Sequence, residues 1–175
     1  KDTKKYLPEV KRQLKSMQKI IEDILYLNHC AEHIQREPVD IDLLLDELLE
    51  NYRVQAEEKG LTVRKNKVNM QAYTDRELLK KIVDNVVSNA VAYTPAGETI
   101  KIYEGEKGLT VENFGAHIDE ELLPHIYEPF VSSDTRQKGR GLGLYVTAYY
   151  AEILGWKVEI ANTAGSVCAT LKEFT

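Results

Sequence analysis

Two asparagines, Asn85 and Asn89, stand four residues apart in a stretch with helical apolar spacing, so their side chains share one face. An amide oxygen is a hard, neutral ligand suited to a hydrated Mg²⁺ that bridges phosphates. A buried amide without partners costs about 1–3 kcal/mol, so either neighbouring backbone or a polar ligand must satisfy the pair, and spacing alone leaves both open. Further along, Gly139-Arg140-Gly141-Leu142-Gly143-Leu144 places three alternating glycines just before a helix. Glycines there let backbone amides approach a phosphate closely, and the helix N-terminus adds partial positive charge; a plain capping loop would use the same residues. Arg136, Lys138 and Arg140 put three cations in this loop, able to neutralise phosphates or only to keep the loop solvated. No G-x-x-x-x-G-K-[ST] run occurs, and a polar loop precedes the glycines, which excludes a P-loop and argues against a dinucleotide-binding first turn.

These residues need elements to hold them. Leu7, Val10, Leu14, Met17, Ile21, Ile24, Asn28 and Ala31 alternate three and four apart and predict one long helix with a heptad seam. Ile20, Leu25 and Leu27 widen that seam beyond a two-strand stripe, as in a four-helix bundle, so a dimer or a further segment is expected to cover it. Arg36 to Asp40 breaks the period, with Pro38 disfavouring helix before it and Asp40 able to cap a new one. The domain boundary is expected there, dividing residues 1–36 from residues 37–175.

Ile41, Leu44, Leu45, Leu48, Leu49, Tyr52 and Ala56 predict a one-sided helix ended by Gly60, followed by a strand from Leu61 to Arg64. Thr74 and Glu77 read as a capping box opening a helix at Asp75 that runs to about Tyr93. Thr99 to Tyr103 and Leu109 to Glu112 predict a hairpin, Glu120 to Ile126 a short helix, and Tyr127 to Arg140 a polar loop long enough to suggest function. Helix is expected from Leu142 to Leu154 and strands from Lys157 to Ala161 and Val167 to Phe174. The order implies an α+β fold, a two-layer sandwich with helices on one face of a mixed sheet.

Bulk properties narrow the functions. Twenty-three Lys+Arg against 28 Asp+Glu give the 175 residues a net charge of −5, so no field gathers nucleic acid or an anionic membrane. The two cysteines, Cys30 and Cys168, each lie in an apolar run with no ligand-spaced companion and are expected to be buried thiols, without a disulfide or zinc. No apolar run reaches the roughly 18 residues that span a bilayer. The chain begins at Lys1, which suggests a segment of something longer.

Taken in order, Asn85-x-x-x-Asn89-Ala90, Asn113-Phe114-Gly115-Ala116-His117-Ile118, Glu128-Pro129-Phe130 and Gly139 to Leu144 resemble the N, G1, F and G2 boxes of the histidine-kinase branch of the Bergerat-fold ATPases. Leu7 to Ala31, with the Pro38-Val39-Asp40 exit, look like the second helix of that family's dimerisation and phosphotransfer hairpin, and the chain looks closest to the vancomycin-response group. The resemblance implies ATP as ligand and Asn89 as the Mg²⁺ ligand, with Asn85 near the phosphates and Tyr93 flanking the nucleotide. It further implies that the residue at Asn113 accepts a hydrogen bond from the adenine amino group, that Gly115 and Ile118 bind ATP, that Phe130 packs the loop, that Gly139 to Leu144 form the end of the ATP lid, and that Arg136, Lys138 or Arg140 neutralises the phosphates.

It also implies a protein-histidine kinase whose γ-phosphoryl passes to a histidine, then to a response-regulator aspartate. The parent would dimerise through the hairpin and anchor in a bacterial inner or plasma membrane, with this domain cytoplasmic. Three positions depart from the pattern. Asn113 stands where Asp is usual, His117 replaces a glycine, and Ala92 replaces the Lys before the Tyr. None of His29, His33, His117 and His125 sits in the H-E/D-x-x-T/N-P setting of a phosphoacceptor. Two other readings remain: a non-catalytic dimerisation module with a degenerate nucleotide site, and an ATP hydrolase, which would need a Glu where Asn85 stands.

Overall fold

The computed structural model describes Val10, Ile21 and residues 34–129, 131 and 142–174. The long heptad helix therefore falls almost wholly outside the described residues, as does Cys30; Val10 and Ile21 are both helical and exposed.

The first complete helix, α1 (Ile41–Glu58), starts where Asp40 accepts a hydrogen bond from the Leu43 amide at 3.1 Å. Of the stripe that sequence spacing predicts it buries Ile41, Leu44, Leu45, Leu48 and Ala56, while Leu49 and Tyr52 pack partly buried against the core. Past its end Gly60 takes φ +64, and the Gly60 and Leu61 amides donate to Glu57 O and Ala56 O, both at 2.9 Å. That paired closure is a Schellman stop, which asks for a left-handed residue at this position.

Two strands were not expected. β1 (Arg36–Asp40) and β3 (Gln71–Asp75) pair antiparallel with Val39 opposite Ala72, both buried, while β2 (Thr62–Lys65) lies between them in the chain. The segment expected to be a boundary thus pairs with a strand of the following domain. The same ladder moves the cap of α2 (Arg76–Tyr93). Thr74 is held extended opposite Glu37, fully buried with its hydroxyl unpartnered, and Asp75 is the N-cap instead. The Asp75 carboxylate accepts from Leu78 N at 3.0 Å and from Gln35 N at 2.9 Å, so it ties the start of α2 to the strand that precedes α1.

The main sheet has the order β2, β4 (Thr99–Gly105), β5 (Gly108–Phe114), β7 (Ser166–Glu173), β6 (Trp156–Thr163). β2 runs parallel to β4 and every other pair is antiparallel, which makes the sheet mixed. The β4–β5 hairpin turns at Gly108, where φ is +123 and a Cβ would meet Leu171 O at 2.2 Å, so no side chain fits. The expected helix at Glu120 to Ile126 shrinks to one 3₁₀ turn, Leu123–His125, with Pro124 inside it. α3 (Gly143–Leu154) ends at Gly155, φ +78. The three helices cover one face of the sheet, closing a core built from Leu45, Leu48, Leu79, Ile82, Ile102, Val111, Tyr150 and Leu171. Cys168 lies on the sheet's other face, half-buried rather than buried, and burial pushes its thiol pKa up.

One buried charge fastens α1 to the sheet. The Asp42 carboxylate accepts from Lys65 Nζ at 2.6 Å, Lys67 Nζ at 3.0 Å and Val68 N at 3.0 Å. These donors hold its pKa far below the usual carboxylate range. A carboxyl depressed in the folded state adds stability above its unfolded pKa, about 3.9, and that share is lost as pH falls toward the folded value. Acidification below about pH 4 is therefore expected to lower the melting temperature more steeply in the native chain than in Asp42→Asn. Parallel melting curves for the two across pH 7 to 2 would contradict this.

Candidate functional site

At one end of the sandwich the sheet and α2 part around a cavity of about 180 Å³. α2 contributes Val86, Asn89, Ala90 and Tyr93; β5 contributes Asn113 and the turn after it Ala116, His117 and Ile118. Leu122, Ile126 and Val131 form a wall, Leu144 of α3 closes one side, and Ile160, Val167 and Ala169 complete the lining from β6 and β7. The lining is mostly apolar, with two neutral amides, a histidine and a tyrosine placed among it. Such a slot is smaller than the 300 to 1,000 Å³ typical for drug-sized ligands and suits one flat ring system whose edge the amides can read.

Each polar side chain has an element that holds it. Asn113 is 7% exposed on β5, between Ile100 and Val167 in the ladder, so its amide sits at the floor. Asn89 lies one helical turn beyond Asn85 and is half-buried. Tyr93 ends α2, and that end is fixed from outside the helix: the Lys59 ammonium donates to Val91 O, Ala92 O and Thr94 O at 2.8, 2.9 and 2.8 Å. A cation on the last carbonyls satisfies acceptors that α2 cannot, although burial draws the Lys59 pKa down.

Of the residues expected to bind, Asn89, Tyr93, Asn113, Ile118 and Leu144 line the cavity. Asn85, Gly115, Leu142 and Gly143 do not, and their positions explain why. Asn85 is buried, and its Oδ1 lies 3.9 Å from where a Cβ on Gly143 would stand, so it faces the start of α3. Gly115, at φ +72, turns the chain off β5 and would crowd Glu98 Cγ at 3.0 Å if it carried a Cβ. Leu142 is buried in the core and Gly143 opens α3, its carbonyl accepting from the Thr147 hydroxyl at 2.7 Å. Phe130, Arg136, Lys138, Gly139, Arg140 and Gly141 lie outside the described residues. Among the residues not foreseen, Val86, Ala116, Leu122, Ile126, Val131, Ile160, Val167 and Ala169 are apolar and carry no signal that separates a cavity wall from core.

Comparison with known proteins agrees with this geometry. Residues 74–173, more than half of the chain, match the family described as histidine kinase-, DNA gyrase B- and HSP90-like ATPases. The sensor protein VanSB of Enterococcus faecalis is 32% identical over 181 residues, covering 95% of this chain and 40% of VanSB. The chain thus spans well under half the length of that relative. Full-length ShkA in complex with AMPPNP superposes with a TM-score of 0.76 at 22% identity, over 98% of this chain and 38% of that one. ThkA in complex with the response regulator protein TrrA gives a TM-score of 0.76 at 22% identity, over 95% and 49%. The chain belongs to the histidine kinase-, DNA gyrase B- and HSP90-like ATPase family. Within it, the sensor-protein relative and the order of the four boxes mark an ATP-binding catalytic domain of the sensor histidine kinase type.

Proposed function

We propose that this domain binds Mg·ATP with the adenine in the cavity between α2 and the sheet and passes the γ-phosphoryl to a histidine on a hairpin helix, for relay to a response-regulator aspartate. The observation that carries this is the convergence of Asn89, Tyr93, Asn113, Ile118 and Leu144, from separate boxes, on one apolar slot. The slot has room for a base, and the sugar and phosphates would extend past Asn89 toward the start of α3. No group of three or more His, Cys, Asp or Glu capable of holding a metal occurs among the described residues. A lone amide oxygen instead fits Mg²⁺ that arrives on a triphosphate and keeps phosphate oxygens and waters as its other ligands. Asn89 would hold that ion, which would supply neutralisation of the phosphate charge. The domain's own share is positioning: Asn113 would read the base edge, and Asn85 would face the phosphates from beside the start of α3.

Asn85 also separates this reading from ATP hydrolysis. A neutral amide cannot take a proton from water, and the neighbouring carboxylate of Asp84 accepts from the Tyr52 hydroxyl at 2.7 Å. The likeness to ThkA bound to TrrA supports a response regulator as partner. Among the described residues no helix is long and apolar enough to cross a membrane; a membrane-anchored, dimeric parent with this domain on the cytoplasmic side belongs to the same proposal. Radiolabelled γ-phosphate appearing on a separately supplied hairpin, in a histidine-type linkage, is the expected outcome. ATP consumed to inorganic phosphate with no labelled hairpin would replace the kinase reading with hydrolysis.

A further inference from the structure

Among the described residues β6 is the last strand of the main sheet, and one of its edges has no neighbouring strand there. Exposed edge groups are ordinarily a liability, and something must occupy them. The Tyr127 hydroxyl does so at one point, donating to Val158 O at 3.0 Å and accepting from Ile160 N at 2.9 Å. A single phenol thereby fills both places that a neighbouring strand would fill. Asn162, two residues on, reaches out from the same strand: its amide NH₂ donates to Ile118 O at 2.7 Å and its Oδ1 accepts from Ile118 N at 3.0 Å. Residues 118 and 127 are thus both fastened to β6, and the segment between them carries Leu122 and Ile126, two residues of the cavity wall. Ile118 and Ile160 line the cavity themselves.

We propose that Tyr127 and Asn162 are positioning residues for the nucleotide base, lashing the wall from Ile118 to Tyr127 onto the free edge of β6 and so setting the width of the slot. This rests on the reading of the cavity as the base site. The Tyr127 ring is more than half withdrawn from water, and burial raises its phenol pKa, so the hydroxyl keeps the proton it donates to Val158. Removing the hydroxyl as Tyr127→Phe leaves the ring but strips Ile160 N and Val158 O of their partner; Asn162→Asp keeps the acceptor and loses the donor to Ile118 O.

The test is calorimetric titration of the 175-residue chain with Mg·AMPPNP, together with amide hydrogen exchange. Tyr127→Phe, which strips two hydrogen bonds, and Asn162→Asp, which strips one, are each expected to weaken AMPPNP by about 5- to 10-fold. Exchange should quicken for residues 118–127 and stay unchanged in β4 and β5. Tyr103→Phe, whose hydroxyl makes only a long 3.4 Å contact to Glu112 on the sheet's other face, is the control and should bind as the native chain does. Variants that bind AMPPNP with native affinity while only melting earlier would make the clamp purely structural and overturn the proposal. Equal weakening by Tyr103→Phe would overturn it too. If the native chain takes up no AMPPNP, the base-site reading falls and the proposal with it; if only the variants match the native chain, the proposal alone falls. Should Tyr127→Phe fail to fold, Asn162→Asp decides between the same outcomes.

Discussion

Asn89→Ala is expected to weaken Mg·AMPPNP binding by at least about a hundredfold while leaving the fold intact. Both halves follow from where the residue stands. Asn89 lines the cavity from the C-terminal third of α2 and is only half-buried, so truncating it opens no void among Val86, Ala90 and the sheet. Alanine is also the better helix former, by roughly 0.5 kcal/mol, and α2 should melt no earlier than before. Binding has no such compensation: among the described residues the other amide lining the cavity is Asn113, which lies on β5 at its floor. Chelating magnesium should therefore weaken AMPPNP in the native chain and change nothing further in the variant. A calorimetric titration giving the same affinity for both proteins would refute the role assigned to Asn89.

The second large effect is all-or-none. Incubated with ATP by itself, the chain is expected to gain no acid-labile phosphate, and a complete phosphoacceptor hairpin added separately should become labelled. Phosphoryl transfer needs an acceptor held in line with the γ-phosphate, and the two described histidines are committed elsewhere. His117 lines the cavity between α2 and the sheet, and His125 Nδ1 lies 2.7 Å from Glu128 Oε1. His29 and His33 lack the phosphoacceptor setting in sequence. Filter assays after acid and base treatment distinguish phosphohistidine from phosphoserine. Acid-labile label on the chain alone would mean that one of its four histidines is an acceptor after all.

Helices and hairpins were legible in the sequence because their periods are strong. The α2 stripe from Leu78 to Ala90 and the alternation of β4, β5 and β7 bury the residues that their spacing selects, and the α1 stripe from Ile41 to Ala56 does so except at Leu49 and Tyr52, which are partly buried against the core. β1 and β3 were not legible, since β1 contains Pro38 and β3 mixes exposed Gln71 and Tyr73 with buried Ala72, Thr74 and Asp75, two of them polar. Their pairing is a tertiary contact, and it shifted the α2 cap from Thr74 to Asp75.

The polar half of the site was readable for a related reason: an amide within an apolar stripe, as at Asn89, or in a strand, as at Asn113, stands out. The apolar half was not, because Ile126, Ile160 and Ala169 alternate just as core residues do. The side chains that pin the wall were equally hidden. Tyr127 and Asn162 act on backbone groups about thirty and forty residues away, and composition near them carries no trace of it.

The most direct test of the nucleotide site is a crystal structure of the chain grown with AMPPNP and magnesium. The adenine ring is expected in the slot between Ala90, Ile126 and Val167 with its edge on Asn113, and the magnesium on the triphosphate beside Asn89. A slot left empty, or a nucleotide bound elsewhere with Asn89 and Asn113 untouched, would contradict it.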